Sequence, residues 1–315
     1  MSKTLLFAIL ASAVALIAAP GAQSEESKPA MTTEPKVPLK PEKSGLLPID
    51  GLNYYYAIYG QGEPLLLLHG GLGSTDMFAP ILPKFAEHRT VIVVDLQGHG
   101  RTALGERPFS LEAMGNDMAV IVRALGYDQV DVMGYSLGGG VAFRMAVQHP
   151  ETVGRLVLVS TGYAANGFYD EMRPQQAQVS AAAAPFMKDT PMYKSYVAVA
   201  PHPEDFPKLL DALGNFMRND YDFSAEVPKL KMPVMLVYGD SDMYKPEHEI
   251  KFFQLLGGGL KDAGWMRENL SQNRLAIIPN RTHYDVFFAP ELAITTLPFL
   301  DGVTKVKTWD EIVSE

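Results

Sequence analysis

Gly134-Tyr135-Ser136-Leu137-Gly138 is the stretch on which the fold turns. Val130, Val132 and Met133 precede it as the apolar run of a strand, and Val141, Ala142, Met145 and Ala146 follow with the spacing of a helix. The segment therefore predicts a strand, a sharp turn and a helix. Such a turn forces its central serine into a strained backbone conformation, which has room only if the residues two positions away lack side chains. Gly134 and Gly138 supply that room. The strain lifts the Ser136 hydroxyl clear of the sheet edge, and the Leu137 amide at the helix start points where an oxyanion would form. Ser136 is thereby a candidate nucleophile and Leu137 a candidate oxyanion donor. The alternative is a glycine-rich turn that serves only close helix–strand packing.

Working outward, the chain alternates strand and helix. Leu52 to Tyr59 is aromatic and β-prone. Leu65 to Leu68 is a continuous apolar run of the kind buried in a central strand, and it ends in His69-Gly70-Gly71-Leu72-Gly73. A helix is expected over Thr75 to Glu87, then a strand over Thr90 to Val94 that ends at Asp95 and the loop Gly98-His99-Gly100-Arg101. Ser110 predicts the N-cap of a helix through Leu125, closed by Gly126. The helix after Ser136 runs to His149, and Arg155 to Ser160 is another buried strand. This alternation predicts an α/β fold with a mostly parallel central sheet covered by helices on both faces. In such sheets the chemistry sits at the carboxyl ends of the strands, where His69, Asp95 and Ser136 all fall.

The alternation lapses from Thr161 to Lys231. That stretch carries several helical segments, one alanine-rich (Ala177 to Ala184), punctuated by prolines. Its large apolar residues are methionine and aromatic, among them Phe168, Met187, Met192, Phe216, Met217 and Tyr221. An inserted helical cap with an apolar underside is expected, some of these side chains packing the cap onto the body instead. Alternation resumes with a strand over Val234 to Tyr238, the turn Gly239 to Pro246, a helix from Glu247 to Leu256 and a last strand over Leu275 to Ile278, followed by His283. Pro290 opens a final helix to Leu300. The body is then 46–160 and 232–303, the cap 161–231 and a charged tail 304–315, where Thr308 and Glu311 suggest a short surface helix.

The N-terminus has its own logic. Lys3 precedes an almost wholly apolar run from Leu5 to Ala19, with small residues at Ala18, Ala19, Gly21 and Ala22. This predicts an export signal over 1–22 and a secreted or periplasmic product, the run being short of the ~20 residues of a membrane span. Residues 23–45, rich in Pro, Lys, Glu, Ser and Thr, are expected to be a disordered tether. There is no cysteine, so neither a disulfide nor a lipid-modified cysteine terminus is available and stability must come from packing. A net charge of −9 argues against a nucleic-acid or anionic-membrane surface. The histidines are scattered without a His-Glu-x-x-His pattern, and Gly257-Gly258-Gly259 neither follows a strand nor leads into Lys-Ser/Thr. No metal and no cofactor is expected.

Four motifs in register give residues 46–303 a resemblance to the α/β-hydrolase family: His69-Gly70-Gly71 after one strand, the turn at Ser136, Gly239-x-x-Asp242-x-x-x-Pro246 after a later strand, and His283 after the last. The order Ser, Asp, His along the chain is the order this family uses. The resemblance implies a serine nucleophile, Ser136; a base, His283; an acid, Asp242, with Asp240 ordering the turn; and an oxyanion hole from the amides of Gly71 and Leu137. A serine hydroxyl is a poor nucleophile until a base takes its proton, an imidazole can do so near neutral pH, and a carboxylate holds that imidazole in the right tautomer. His69 is read as a buttress of its loop, Asp95 and the loop after it as structural, and His149 and His248 as surface histidines. The family usually carries glycine before its catalytic histidine, where this chain has Thr282. The implied activity is an exported serine hydrolase acting on carboxylic esters of small, apolar substrates. Alternatives on the same scaffold are lactone, amide or N-terminal-proline hydrolysis, carbon–carbon hydrolysis and perhydrolysis; a non-turnover small-molecule receptor is a further one. An acidic cation site would favour an aminopeptidase, and Glu204 and Asp205 in the cap are the candidates for one, though such a pair is more often simply solvated.

Overall fold

The computed structural model describes residues 39–303 together with Trp309 and Val313. The export signal expected over 1–22, most of the tether and most of the tail lie outside the described residues. Eight strands form one sheet: β1 Lys43–Ile49, β2 Leu52–Tyr59, β3 Glu63–Leu68, β4 Arg89–Val94, β5 Val130–Tyr135, β6 Val153–Val159, β7 Val234–Ser241 and β8 Arg274–Thr282. Their order is β1-β2-β4-β3-β5-β6-β7-β8. The ladders from β4 to β8 are parallel, and β1 and β2 add an antiparallel edge.

The helices are α1 Leu82–Ala86, α2 Leu111–Ala124, α3 Leu137–Gln148, α4 Met172–Gln176, α5 Ala184–Met187, α6 Pro191–Val199, α7 Phe206–Arg218, α8 Pro246–Leu255 and α9 Pro290–Leu300. The continuous apolar strands bury both faces. Leu66 and Leu68 pack with Ile92 and Val94 against α2 and α3, whereas Leu65 and Leu67 pack with Val91 and Val93 towards α1 and α9. Each such side chain withdrawn from water contributes roughly 1.5–3 kcal/mol. With no cysteine in the chain, that burial holds the sheet between its two helical layers.

Three departures from the sequence expectations have local causes. β1 begins at Lys43, inside the stretch expected to be a tether. It is a largely exposed edge strand that pairs only with β2, and its first residues, Lys43 and Ser44, are polar and exposed, so nothing in them marks the start of a strand. The helix expected over Thr75 to Glu87 is instead a 3₁₀ turn over Thr75–Phe78 and the short α1. Pro80 and Pro83 fit only near a helix start, and Pro83 sits in the first turn of α1. In the alanine-rich stretch Ser180 is extended and Pro185 lies in the first turn of α5, which leaves a 3₁₀ turn at Ala181–Ala183 and the brief α5.

Between β6 and β7 the chain carries α4 to α7. Phe206, Leu209, Leu210 and Leu213 of α7 form a small core of their own with Met187 and Tyr196. This helical layer closes over the carboxyl ends of the strands. Those ends present His69, Asp95, Ser136, Ser160, Asp242 and, after β8, His283.

Candidate active site

Ser136 stands between β5 and α3 at φ 52°, ψ −116°, a region closed to most side-chain-bearing residues. The neighbouring glycines make it possible. A Cβ on Gly134 would lie 2.2 Å from the Gly138 carbonyl oxygen, and one on Gly138 would lie 2.3 Å from the Leu68 carbonyl oxygen. The Ser136 N–H donates to the Val159 carbonyl at 3.0 Å, which pins the turn to β6.

His283 follows β8 and is 4% exposed. Its Nε2 lies 3.1 Å from Ser136 Oγ, and its Nδ1 lies 3.0 Å from Asp242 Oδ1. An ionised carboxylate only accepts hydrogen bonds, so Nδ1 carries the proton and Nε2 turns its lone pair to the serine hydroxyl. The Tyr135 hydroxyl donates to the His283 carbonyl at 2.6 Å and fixes the backbone behind the ring. Thr282, where the family usually has glycine, is accommodated. Its N–H and hydroxyl both donate to Asp285 Oδ1, at 2.6 and 2.9 Å, and the left-handed turn falls on Asn280 instead.

Asp242 follows β7 and is buried. The Met243 N–H donates to Oδ1 at 2.7 Å, and the hydroxyl of Ser160, at the end of β6, donates to Oδ2. Burial alone would raise the carboxyl. The hydrogen bond and electrostatic attraction of His283, with the bonds from Ser160 and Met243, outweigh it and hold Asp242 below the usual aspartate range. Nearby Glu249, on α8, is pushed up to about 8 by burial and by the charge of Asp242. Both effects favour its neutral form, which limits a second negative charge beside Asp242. Asp240 is exposed and accepts from the Arg281 N–H at 3.3 Å, away from the imidazole.

Gly71 and Leu137 line the same cavity as Ser136 and His283. Among the described residues neither backbone N–H donates to a protein acceptor. The preceding His69 is buried with both ring nitrogens engaged: Nδ1–H donates to the Gly70 carbonyl at 2.8 Å, and Nε2 accepts from the Leu96 N–H at 3.0 Å. Burial lowers it to about 4, so it is neutral and braces the loop. Asp95 accepts from the N–H groups of Thr75 and Arg101, at 2.7 and 2.8 Å, and organises the next loop.

His248 differs from the surface histidine expected. It is 6% exposed, stacks on Tyr163 with ring centroids 4.0 Å apart, and accepts the Tyr163 N–H at 3.2 Å. It lies on the inward face of α8, where Gly162 and Gly167 leave room for the ring. His149 is partly exposed and bonds Asn116.

The cavity measures about 760 Å³. Its walls are overwhelmingly apolar, and Phe168, Met187, Met192, Phe216 and Met217 of the helical layer form much of them. Glu204 and Asp205 do not line it. Among the described residues no group of three or more His, Cys, Asp or Glu side chains could hold a metal ion. Sequence reasoning did not single out Ser160, Glu249 or the Tyr135 hydroxyl. Only Ser160 left a trace, as the polar residue closing an apolar strand.

Residues 63–222 match the family profile of the alpha/beta hydrolase fold. The chain belongs to the α/β-hydrolase family. A soluble epoxide hydrolase of Corynebacterium sp. is 38% identical over 111 residues, covering 35% of this chain and 39% of that protein. The 2-hydroxy-6-oxo-6-(2'-aminophenyl)hexa-2,4-dienoic acid hydrolase of Metapseudomonas resinovorans is 26% identical over 273 residues, 79% of this chain and 88% of that one. Several curated relatives, including mycobacterial proteins 37% identical over 114 residues, are matched over only about a third of their length. Among solved structures, a thermophilic esterase from Thermogutta terrifontis superposes with a TM-score of 0.63 at 20% identity, over 85% of this chain and 99% of that one. At that identity the likeness is one of fold.

Proposed function

We propose that this hydrolase is an exported serine esterase that cleaves carboxylic esters of small, largely apolar substrates through an acyl-enzyme. One observation carries the proposal: the hydrogen-bonded line Asp242–His283–Ser136 opens onto an apolar cavity. The Ser136 hydroxyl gives its proton to His283 Nε2 as Oγ bonds to the substrate carbonyl carbon. Charge on the carbonyl oxygen is met by the N–H groups of Gly71 and Leu137; losing one such donor typically costs ~2.7–4 kcal/mol of transition-state stabilisation. Collapse expels the alcohol, which takes the proton from Nε2. Water then repeats the sequence against the acyl-enzyme and releases the acid. Asp242 holds the imidazole tautomer and stabilises the imidazolium without taking its proton.

A serine at the nucleophile position separates this scheme from one built on an aspartate nucleophile, which forms an ester intermediate at its own carboxylate. Export rests on Lys3 and the apolar run from Leu5 to Ala19. The test is a panel of aryl esters, lactones and aminoacyl amides assayed across pH. Aryl esters should be turned over best. Their kcat/KM should fall along one limb on the acid side, because the base must be a neutral imidazole. The acid side should show that one limb alone, since Asp242 stays ionised well below it. Preference for aminoacyl amides would overturn the ester assignment, and flat activity from about pH 4 to 9 would overturn histidine as the base.

A further inference from the structure

We infer that Gln176, the last residue of α4, is a specificity determinant that reads a neutral hydroxyl or amide on the substrate, at a group other than the scissile carbonyl. Gln176 is 9% exposed and lines the cavity that Ser136 and His283 open onto. Its Oε1 is withdrawn from solvent with no hydrogen-bond partner among the described residues. Burying a primary amide in apolar surroundings is unfavourable unless it is paired. A methionine of similar length would fill the same space without that cost. Met172, Val179 and Met217 line the cavity with it, and none offers the amide a side-chain partner.

The chemistry of the partner follows from the rest of the wall. A glutamine amide presents an acceptor and two donors at one end, whichever way round it is placed. It therefore complements a group that both donates and accepts. A charged group would need a counter-ion, and the charged lining residues are already engaged. Asp76 accepts from the Arg101 guanidinium at 3.0 Å, and Arg173 donates to Asp220 at 2.5 Å and to the Met217 carbonyl at 3.0 Å. The Ser195 hydroxyl is turned to the Met192 carbonyl at 3.0 Å. The substrate so described is an apolar ester carrying one neutral polar substituent. This deepens the esterase proposal and rests on it for turnover, though not for binding.

The experiment compares matched p-nitrophenyl esters whose acyl chain of 4 to 12 carbons ends in methyl, hydroxyl or carboxamide. Each is assayed with the wild type, Gln176→Met and Gln176→Asn. The hydroxyl or carboxamide ester should exceed its methyl-ended counterpart in kcat/KM by about tenfold to hundredfold at one chain length in the wild type. Gln176→Met should bring that ratio to one or below, and Gln176→Asn should move the optimum to a longer chain. The ratio of two substrates does not depend on how much of a variant is folded. Binding of the same esters to Ser136→Ala, read by calorimetry, repeats the comparison without turnover. Equal ratios at every length in the wild type, or a preference that survives Gln176→Met, would overturn the role of Gln176 while leaving the esterase proposal standing. If no ester is turned over but Ser136→Ala still prefers the polar-ended ligand and Ser136→Ala/Gln176→Met does not, the esterase proposal fails and the role of Gln176 holds.

Discussion

Ser136→Ala should lower kcat/KM for aryl esters by about 10⁴-fold or more and leave the thermal unfolding midpoint within a few degrees of the wild type. The loss is large because the oxygen that would bond to the acyl carbon is gone, and His283 then has no hydroxyl to deprotonate. The small stability change follows from what holds the turn. Its strain is relieved by Gly134 and Gly138, and its anchor is the backbone bond from the Ser136 N–H to Val159, which alanine keeps. The Ser136 side chain makes one protein contact of note, the 3.1 Å bond to His283. Steady-state kinetics with calorimetric unfolding checks both halves. Activity within tenfold of the wild type would mean that another nucleophile does the work.

Asp242→Asn should cost about 10³- to 10⁴-fold in kcat with little change in KM. An asparagine amide nitrogen facing the ring would donate to Nδ1 and move the ring proton to Nε2, where it faces Ser136 instead of a lone pair. The Met243 N–H and the Ser160 hydroxyl both donate towards the native carboxylate, so one of them would meet an amide N–H in the variant. Combining Asp242→Asn with Ser136→Ala should add almost nothing to the loss from Ser136→Ala alone, because the residues act as a unit. Asp240→Asn is the control. Asp240 is exposed and orders the turn through the Arg281 N–H, so its loss should leave kcat nearly unchanged. A large loss from Asp240→Asn with a small one from Asp242→Asn would reverse the assignment of the acid.

What the sequence disclosed, and what it withheld, divides along physical lines. The strands β3 to β7 are buried on both faces, so their apolar runs are visible without any partner being known. The turn at Ser136 is visible because a strained backbone restricts residue type within five positions. The ends of β7 and β8 are visible as a polar cluster after an apolar run. By contrast β1 is an edge strand with one neighbour, and its exposed Lys43, Ser44 and Leu46 carry no alternation strong enough to mark it. The bond from Ser160 to Asp242 joins residues 82 positions apart and depends on β6 lying beside β7, which only the sheet order reveals. The same holds for Tyr135, whose hydroxyl reaches a carbonyl 148 positions away. The burial of His248 depends on two glycines in a distant loop. In the helical layer, prolines at 185 and 191 set helix starts, and the lengths between them are decided by packing against the body.

Labelling with a fluorophosphonate, followed by peptide mass mapping and an ester assay on the same sample, tests the account most directly. One stoichiometric adduct on Ser136, with ester turnover lost in proportion to labelling and no labelling of Ser136→Ala, is the predicted result. Turnover that persists in fully labelled protein, or an inactivating adduct on any other residue, would contradict it.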